Sequence, residues 1–187
     1  MLFLCTGNIC RSPMAEALLR SVAGPAAGVR AASAGFWLDG EPASPAAVAT
    51  LERLGLDLDG HRSRRVSVDW LEEADIVLGM ARVHVHEAVS RCPQAWPKTF
   101  TLKDLVRRGA AIGPRRPGQP LAEWLALAHG GRVPADVMGD SPDDDVADPI
   151  GMGRSVFERT ATELAGLIER FVGLVGLVPP PPARGPL

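Results

Sequence analysis

A chain of 187 residues with a formal net charge of −2 is long enough for one substantial core, and too balanced to carry the basic field that nucleic acid or an anionic membrane surface attracts. Hydrophobic residues make up 46% and charged residues 22%, the balance of a globular protein in water, and the apolar runs are too interrupted to span a bilayer. Three cysteines are too few for a secreted disulfide scaffold, zinc-ligand spacing is missing and no basic leader precedes the first apolar run, so the expectation is a reducing, cytoplasmic setting without nucleic acid, membrane, metal or other cofactor.

Met1 to Cys5 is short, apolar on both faces and followed by a turn, which predicts a buried parallel strand. Ser12 then reads as a helix N-cap and Pro13 as the first helical residue, with Met14, Ala15, Leu18, Leu19 and Val22 as the apolar stripe. Val29 to Ala34 reads as a second strand, Pro45 to Leu54 as a helix stopped by Gly55, and Ala74 to Met80 as the clearest buried strand. Val83 to Ser90 reads as a helix, the run KTFTL as a further strand and Arg154 to Val175 as a long amphipathic helix. Strands alternating with helices predict an α/β fold, a parallel sheet covered on both faces that binds ligands at the carboxyl ends of its strands.

Residues 1–175 are thus read as one domain. Two regions break its rhythm. Lys103 to Asp145 is punctuated by Gly and Pro, holds one predicted helix (PLAEWLALAHG), and is long enough to be a lid or an elaboration. Residues 176–187 are Pro-rich and read as a disordered tail.

The chemistry concentrates at the first strand's end. Cys5 closes that strand, Thr6, Gly7, Asn8, Ile9 and Cys10 form a loop, and Arg11 and Ser12 lead into the helix. Backbone N–H groups turned inward at a helix N-terminus make a cradle for a tetrahedral oxyanion, and the same field favours a thiolate at Cys5 over a thiol. Arg11 supplies a planar fork for two phosphate oxygens. Cys5 in this reading is a nucleophile, and Cys10, five residues on, is either packing behind the loop or a redox partner for Cys5.

The run FLCTGNICRSPMAEALLR resembles the opening of the low-molecular-weight protein tyrosine phosphatase family, bacterial type. SAGFW, GEPASPAAVATLERLGLDLDGHRSR, ADIVLGM, FTLKDL and DPIG are similar to it in order and spacing, so the resemblance covers most of residues 1–102 and 146–172. It implies a flavodoxin-like four-stranded parallel sheet in the order 2-1-3-4, with helices on both faces. The implied activity is a metal-free phosphatase working through a phosphocysteine, with a phosphorylated protein as substrate and inorganic phosphate as product and inhibitor. Asp148, followed by Pro149, matches the family's general acid, and a carboxyl beside a bound phosphate dianion and a thiolate is favoured in the protonated form that an acid needs. Asp143, Asp144 and Asp145 are read instead as acids of a solvated loop.

By the same resemblance Asn8, Ser12, Ser33 and His61 form a hydrogen-bond network supporting the loop. Ile9, Trp37 and Ile150 line the substrate cleft, and Cys10 forms a reversible disulfide with Cys5 under oxidation. The family's eukaryotic members carry tyrosines just after the Asp-Pro, where this chain, which has no tyrosine, has Ile150 and Gly151. Protein-arginine phosphatases share the CTGN and FTLK runs but carry threonine where Ile9 stands, so Ile9 favours an aryl phosphate and phosphoarginine is the alternative. Thioredoxin-coupled arsenate reductases need two further thiols on a mobile segment, and Cys92 stands alone. A non-catalytic phosphate-binding regulator would lack Cys5, Arg11 or Asp148, all of which are present. A last expectation places the acidic end of the Lys103 to Asp145 segment over the cradle, attracting basic flanks of a substrate.

Overall fold

The computed structural model describes residues 1–24 and 28–177. Its first strand, β1 (Leu2–Cys5), is buried at every position because both faces of the sheet are covered: Phe3 and Cys5 enter one core cluster, Leu2 and Leu4 the other. The chain continues through α1 (Arg11–Ala23), β2 (Ala32–Gly35), α2 (Pro45–Glu52), α3 (Val68–Glu73), β3 (Val77–Gly79) and α4 (Arg82–Arg91). After a 3-10 turn at Pro93–Lys98 come β4 (Thr99–Thr101), α5 (Leu102–Ile112) and α6 (Leu121–His129), then a 3-10 turn at Pro134–Val137 and α7 (Arg154–Val175).

All pairings are parallel and the strand order is β2-β1-β3-β4, the flavodoxin-like arrangement expected. In this register Cys5 lies opposite Gly35 and Gly79 opposite Thr101, so the strands' carboxyl ends open on one edge. On one face α1, α2 and α5 pack against α7, whose buried Phe157, Ala161, Leu164, Ile168, Phe171 and Val175 recur at helical spacing. The other face is covered by α3 and α4 with the Pro93–Lys98 turn. Among the described residues no helix is long and apolar enough to cross a membrane.

Several sequence-level boundaries shift for physical reasons. β2 begins at Ala32 rather than Val29, because its ladder starts only where β1 offers Met1 and Leu2 as partners. The run KTFTL is strand for three residues, after which the Thr101 hydroxyl accepts the Asp104 N–H at 3.0 Å and starts α5, a helix absent from the sequence reading. The six-residue α3, capped in the same way by Ser67, was also not expected. Val22 is 39% exposed and leaves the predicted stripe.

The Lys103 to Asp145 segment carries most of α5 and all of α6, both of which bury side chains in the core. Its α6 buries Trp124, Leu125 and Ala128, and the Trp124 indole donates to the Gly113 carbonyl at 2.9 Å. Gly109 on α5 makes room for that ring, since a Cβ there would stand 2.9 Å from it. The predicted tail lies in residues 178–187 for the most part, outside the described residues.

Candidate active site

The loop from Thr6 to Cys10 leaves β1 and turns into α1 at the carboxyl edge of the sheet. Two features shape it. Asn8 adopts a left-handed backbone, φ 54°, and Gly35 at the end of β2 has no side chain to obstruct it: a Cβ on Gly35 would fall 2.8 Å from the Asn8 nitrogen and 2.9 Å from the Thr6 carbonyl oxygen. Any larger residue at 35 would push the loop off the sheet.

Asn8 holds the left-handed conformation because every polar group it has is engaged. Its Nδ2 donates to Ser12 Oγ at 2.9 Å and to Ser33 Oγ at 2.8 Å, its Oδ1 accepts the Arg64 N–H at 2.9 Å, and its carbonyl accepts His61 Nε2 at 2.6 Å. A carbonyl only accepts, so His61 carries its proton on Nε2. Burial lowers the His61 pKa, with the Asn8 hydrogen bond opposing, and the ring is a neutral donor near pH 7. Asn8, Ser12, Ser33 and His61 are thus brought together.

Ser12 is not the helix cap that the sequence suggests. α1 begins at Arg11 with Cys10 in the cap position and no side-chain cap, which leaves its first-turn N–H groups for a ligand. The Ser12 hydroxyl faces Cys5 Sγ at 3.0 Å, and the Asn8 N–H donates to the same sulfur at 3.3 Å. The Asn8 N–H is thus a donor to the sulfur, and the Ser12 hydroxyl, which also reaches the Ala34 carbonyl at 3.4 Å, can turn its one proton to either. Cys10 is different: its thiol donates to Ser44 Oγ at 3.1 Å and burial pushes its pKa up to about 11, so at neutral pH it is a thiol; both cysteines are free.

Arg11 is buried, and its guanidinium joins two distant parts of the chain. Nη1 donates to the Val146 carbonyl at 3.1 Å and Nη2 lies 2.5 Å from Asp148 Oδ2, while Nε is buried without a partner. An unpaired buried N–H is costly, and a bound oxyanion is a natural acceptor for it. Asp148 is 40% exposed at its side chain and sits at the start of an exposed tip that carries Ile150, 51% exposed, and Met152. Trp37 is 75% exposed, and its backbone N–H and that of Phe36 both donate to the Thr6 carbonyl, tying the segment after β2 to the loop. Ile9 is half-buried against the larger core cluster.

Three site features escape the sequence reading. His84, one turn into α4, is buried, meets Thr6 Oγ1 at 3.0 Å and stacks on Phe36 with ring centroids 6.1 Å apart. No periodicity singles it out among the residues of that helix. Gly35 needed the sheet register, and the acids at 143–145 needed the fold: Asp143 is exposed as the solvated-loop reading has it, whereas Asp144 is 5% exposed and paired with Arg82 and Arg107, which corrects that reading for Asp144 and with it the expectation of a free acidic overhang. Among the described residues no three His, Cys, Asp or Glu side chains converge as a metal site requires.

Burial, with a smaller contribution from Arg11, pushes the His84 pKa down to about 3. A histidine kept neutral in the fold leaves the unfolded chain binding more protons between about pH 6.5 and pH 3, so stability present at neutral pH is lost as pH falls through that window. From pH 7 to pH 5 the loss is about 2 kcal/mol from this residue. Urea unfolding of His84→Gln should show a pH dependence shallower by that amount, and an unchanged slope would refute the assignment.

Residues 1–112 match the family model described as low molecular weight phosphotyrosine protein phosphatase. The chain is 34% identical over 172 residues to a protein-arginine-phosphatase of Geobacillus stearothermophilus, covering 91% of this chain and 92% of that protein. It is 39% identical over 132 residues to a probable low molecular weight protein-tyrosine-phosphatase EpsP of Ralstonia nicotianae, covering 70% and 89%. Among solved structures, a low molecular weight protein tyrosine phosphatase from T. tengcongensis aligns with a TM-score of 0.68 at 35% identity, over 91% of this chain and 95% of that one.

Proposed function

Because the chain belongs to the low molecular weight phosphotyrosine protein phosphatase family, we propose that it hydrolyses phosphotyrosine in proteins, with Cys5 as nucleophile, Arg11 as phosphate clamp and Asp148 as general acid and base. The substrate dianion enters the loop, takes the free Arg11 Nε and displaces Asp148 from Nη2, and the displaced carboxylate, now beside the dianion, takes up a proton from solvent. Cys5 Sγ attacks phosphorus, the bond from phosphorus to the phenolic oxygen breaks, and Asp148 gives its proton to that oxygen. A water then attacks the phosphocysteine while Asp148 takes its proton, and the bond from phosphorus to sulfur breaks to release inorganic phosphate. The Ser12 hydroxyl and Asn8 N–H, 3.0 and 3.3 Å from the sulfur, stabilise the thiolate as it leaves.

The observation that supports the substrate choice is the exposure of two large apolar side chains beside the site in sequence, Trp37 after β2 and Ile150 after Asp148, with half-buried Ile9 in the loop. An aryl ring buries against such a surface, whereas a guanidinium asks for acceptors. A second reading, phosphoarginine, has its own support in the likeness to the Geobacillus enzyme over nine-tenths of the chain. The comparisons back this second reading better, since a Bacillus subtilis protein-arginine-phosphatase also covers 91% of this chain at 31% identity whereas the EpsP relative covers 70%; the choice of phosphotyrosine rests on the apolar side chains named above and on the T. tengcongensis enzyme, 35% identical over 91%.

Peptides bearing phosphotyrosine or phosphoarginine in one flanking sequence test the choice. The wild type is expected to favour phosphotyrosine by about tenfold or more in kcat/KM, with Ile9→Thr narrowing the ratio. Preference of the wild type for phosphoarginine would replace this reading with the second.

A further inference from the structure

We propose that Asp144, gripped between Arg82 and Arg107, is a positioning residue that sets the reach of Asp148 into the cradle; this rests on the reading of Asp148 as the general acid. The acid loop has two unlike halves. Residues 149–153 are exposed except for Pro149, whereas residues 141–146 are bound to the fold along their length. Asp144 Oδ2 accepts Arg82 Nε at 2.7 Å and lies 2.6 Å from Nη2, and Oδ1 accepts Arg107 Nη1 at 2.7 Å. Asp145 Oδ1 accepts the Arg82 N–H at 2.7 Å, and Lys103 Nζ donates to the carbonyls of Pro142 and Asp145 at 3.1 and 2.8 Å. The Val146 N–H closes the set on the Met80 carbonyl at 2.8 Å, just beyond β3.

This stem is continuous with the chemistry. The Val146 carbonyl accepts Arg11 Nη1, and one residue, Ala147, separates it from Asp148. A shift of the stem therefore passes to the carboxyl almost undiminished, and displacements of about 1 Å at a reacting group can lower rates by about 100-fold. The clamp spans elements far apart in sequence, since Arg82 opens α4, Arg107 lies on α5 and Asp144 belongs to the loop before α7. Burial opposes ionisation of Asp144, yet the hydrogen bonds from Arg107 and Arg82 hold its carboxyl below the usual carboxylate range, so the clamp stays charged at neutral pH. A buried ion pair adds little stability over apolar packing of the same volume, whereas its bidentate geometry specifies position.

Positioning of the acid differs from general support of the fold in its leaving-group dependence. Phenolate is a poor leaving group that needs a proton in the transition state, whereas p-nitrophenolate needs one far less. Asp144→Asn keeps the side-chain shape and is expected to lower kcat/KM for phenyl phosphate about tenfold while changing p-nitrophenyl phosphate less than about threefold. Arg107→Gln, at a half-exposed side chain that tolerates replacement, should reproduce the pattern more weakly. In an Asp148→Ala background Asp144→Asn should change neither substrate, because a residue acting through Asp148 has nothing left to position.

Equal losses on both substrates, or a loss of full size in the Asp148→Ala background, would overturn the assignment. So would unchanged kinetics of both clamp variants when Asp148→Ala alone steepens the leaving-group dependence. If Asp148→Ala does not steepen it, the general-acid reading itself is what fails.

Discussion

Cys5→Ser is expected to lower kcat on p-nitrophenyl phosphate by about 10⁴-fold or more, some 5 kcal/mol of transition-state stabilisation, while inorganic phosphate still binds. Neither group placed at the sulfur is a base able to take its proton: the Asn8 N–H is a donor, and the Ser12 hydroxyl, itself accepting from Asn8 Nδ2, has one proton to turn to the sulfur or to the Ala34 carbonyl. Donors stabilise an anion that already exists but remove no proton. A thiol yields its proton to solvent near neutral pH, whereas a serine hydroxyl does not, so the variant keeps the cradle and lacks the nucleophile. Phosphate affinity measured by calorimetry separates this outcome from a collapsed loop. Turnover within tenfold of wild type would remove Cys5 from the mechanism.

Arg11→Lys is expected to be nearly as damaging, with kcat/KM down about 10³-fold and competitive inhibition by phosphate largely lost. The guanidinium holds Val146 through Nη1 and Asp148 through Nη2, and its buried Nε has no partner in the protein. An ammonium offers one centre of charge at the end of a flexible stem and cannot hold a planar pair of oxygens and a carbonyl together. The site is buried, so a lysine there also faces desolvation that a weakly hydrated guanidinium tolerates better. An unaltered inhibition constant for phosphate would refute the clamp.

In the proposed mechanism, the Arg11 to Asp148 pair lets one carboxyl serve both stages. Without substrate it rests on the cation, and an incoming dianion competes for the same Nη2, releasing the carboxyl toward the leaving group. The tip can follow because residues 150–153 are exposed, with Gly151 in a left-handed backbone at φ 72°, while the stem remains tied to Met80, Arg82 and Lys103. Rigidity behind the acid and freedom ahead of it are both required.

The strand, loop and helix at the N-terminus were legible because their causes are local. An apolar run that closes on Cys5, a residue able to turn left-handed at Asn8, and Arg11 at the start of a helix all act within about three turns of chain. Even there the sequence misplaces Ser12, whose hydroxyl has two competing uses, a cap or a sulfur contact, with a difference of about 1 kcal/mol between such hydrogen bonds. The resemblance of short motifs carried Asp148, Ser33 and His61 to the site, where the fold assembles Ser33 and His61 around Asn8 and Asp148 on Arg11.

What the sequence alone determined about this protein is the chemistry at one strand end: a sulfur, a ring of backbone donors and a guanidinium, placed together by the hydrogen-bond geometry of a few consecutive residues. The tertiary structure decided everything that depends on charge partners far along the chain. Arg11 meets Asp148 across 137 positions, Thr6 meets His84 across 78, and Asp144 meets Arg82 across 62, turning one acid that read as solvated into a buried clamp. Such pairings follow from which strand ends and helix starts share an edge of the sheet, and that is set by packing of the whole core, which no local pattern of residues encodes.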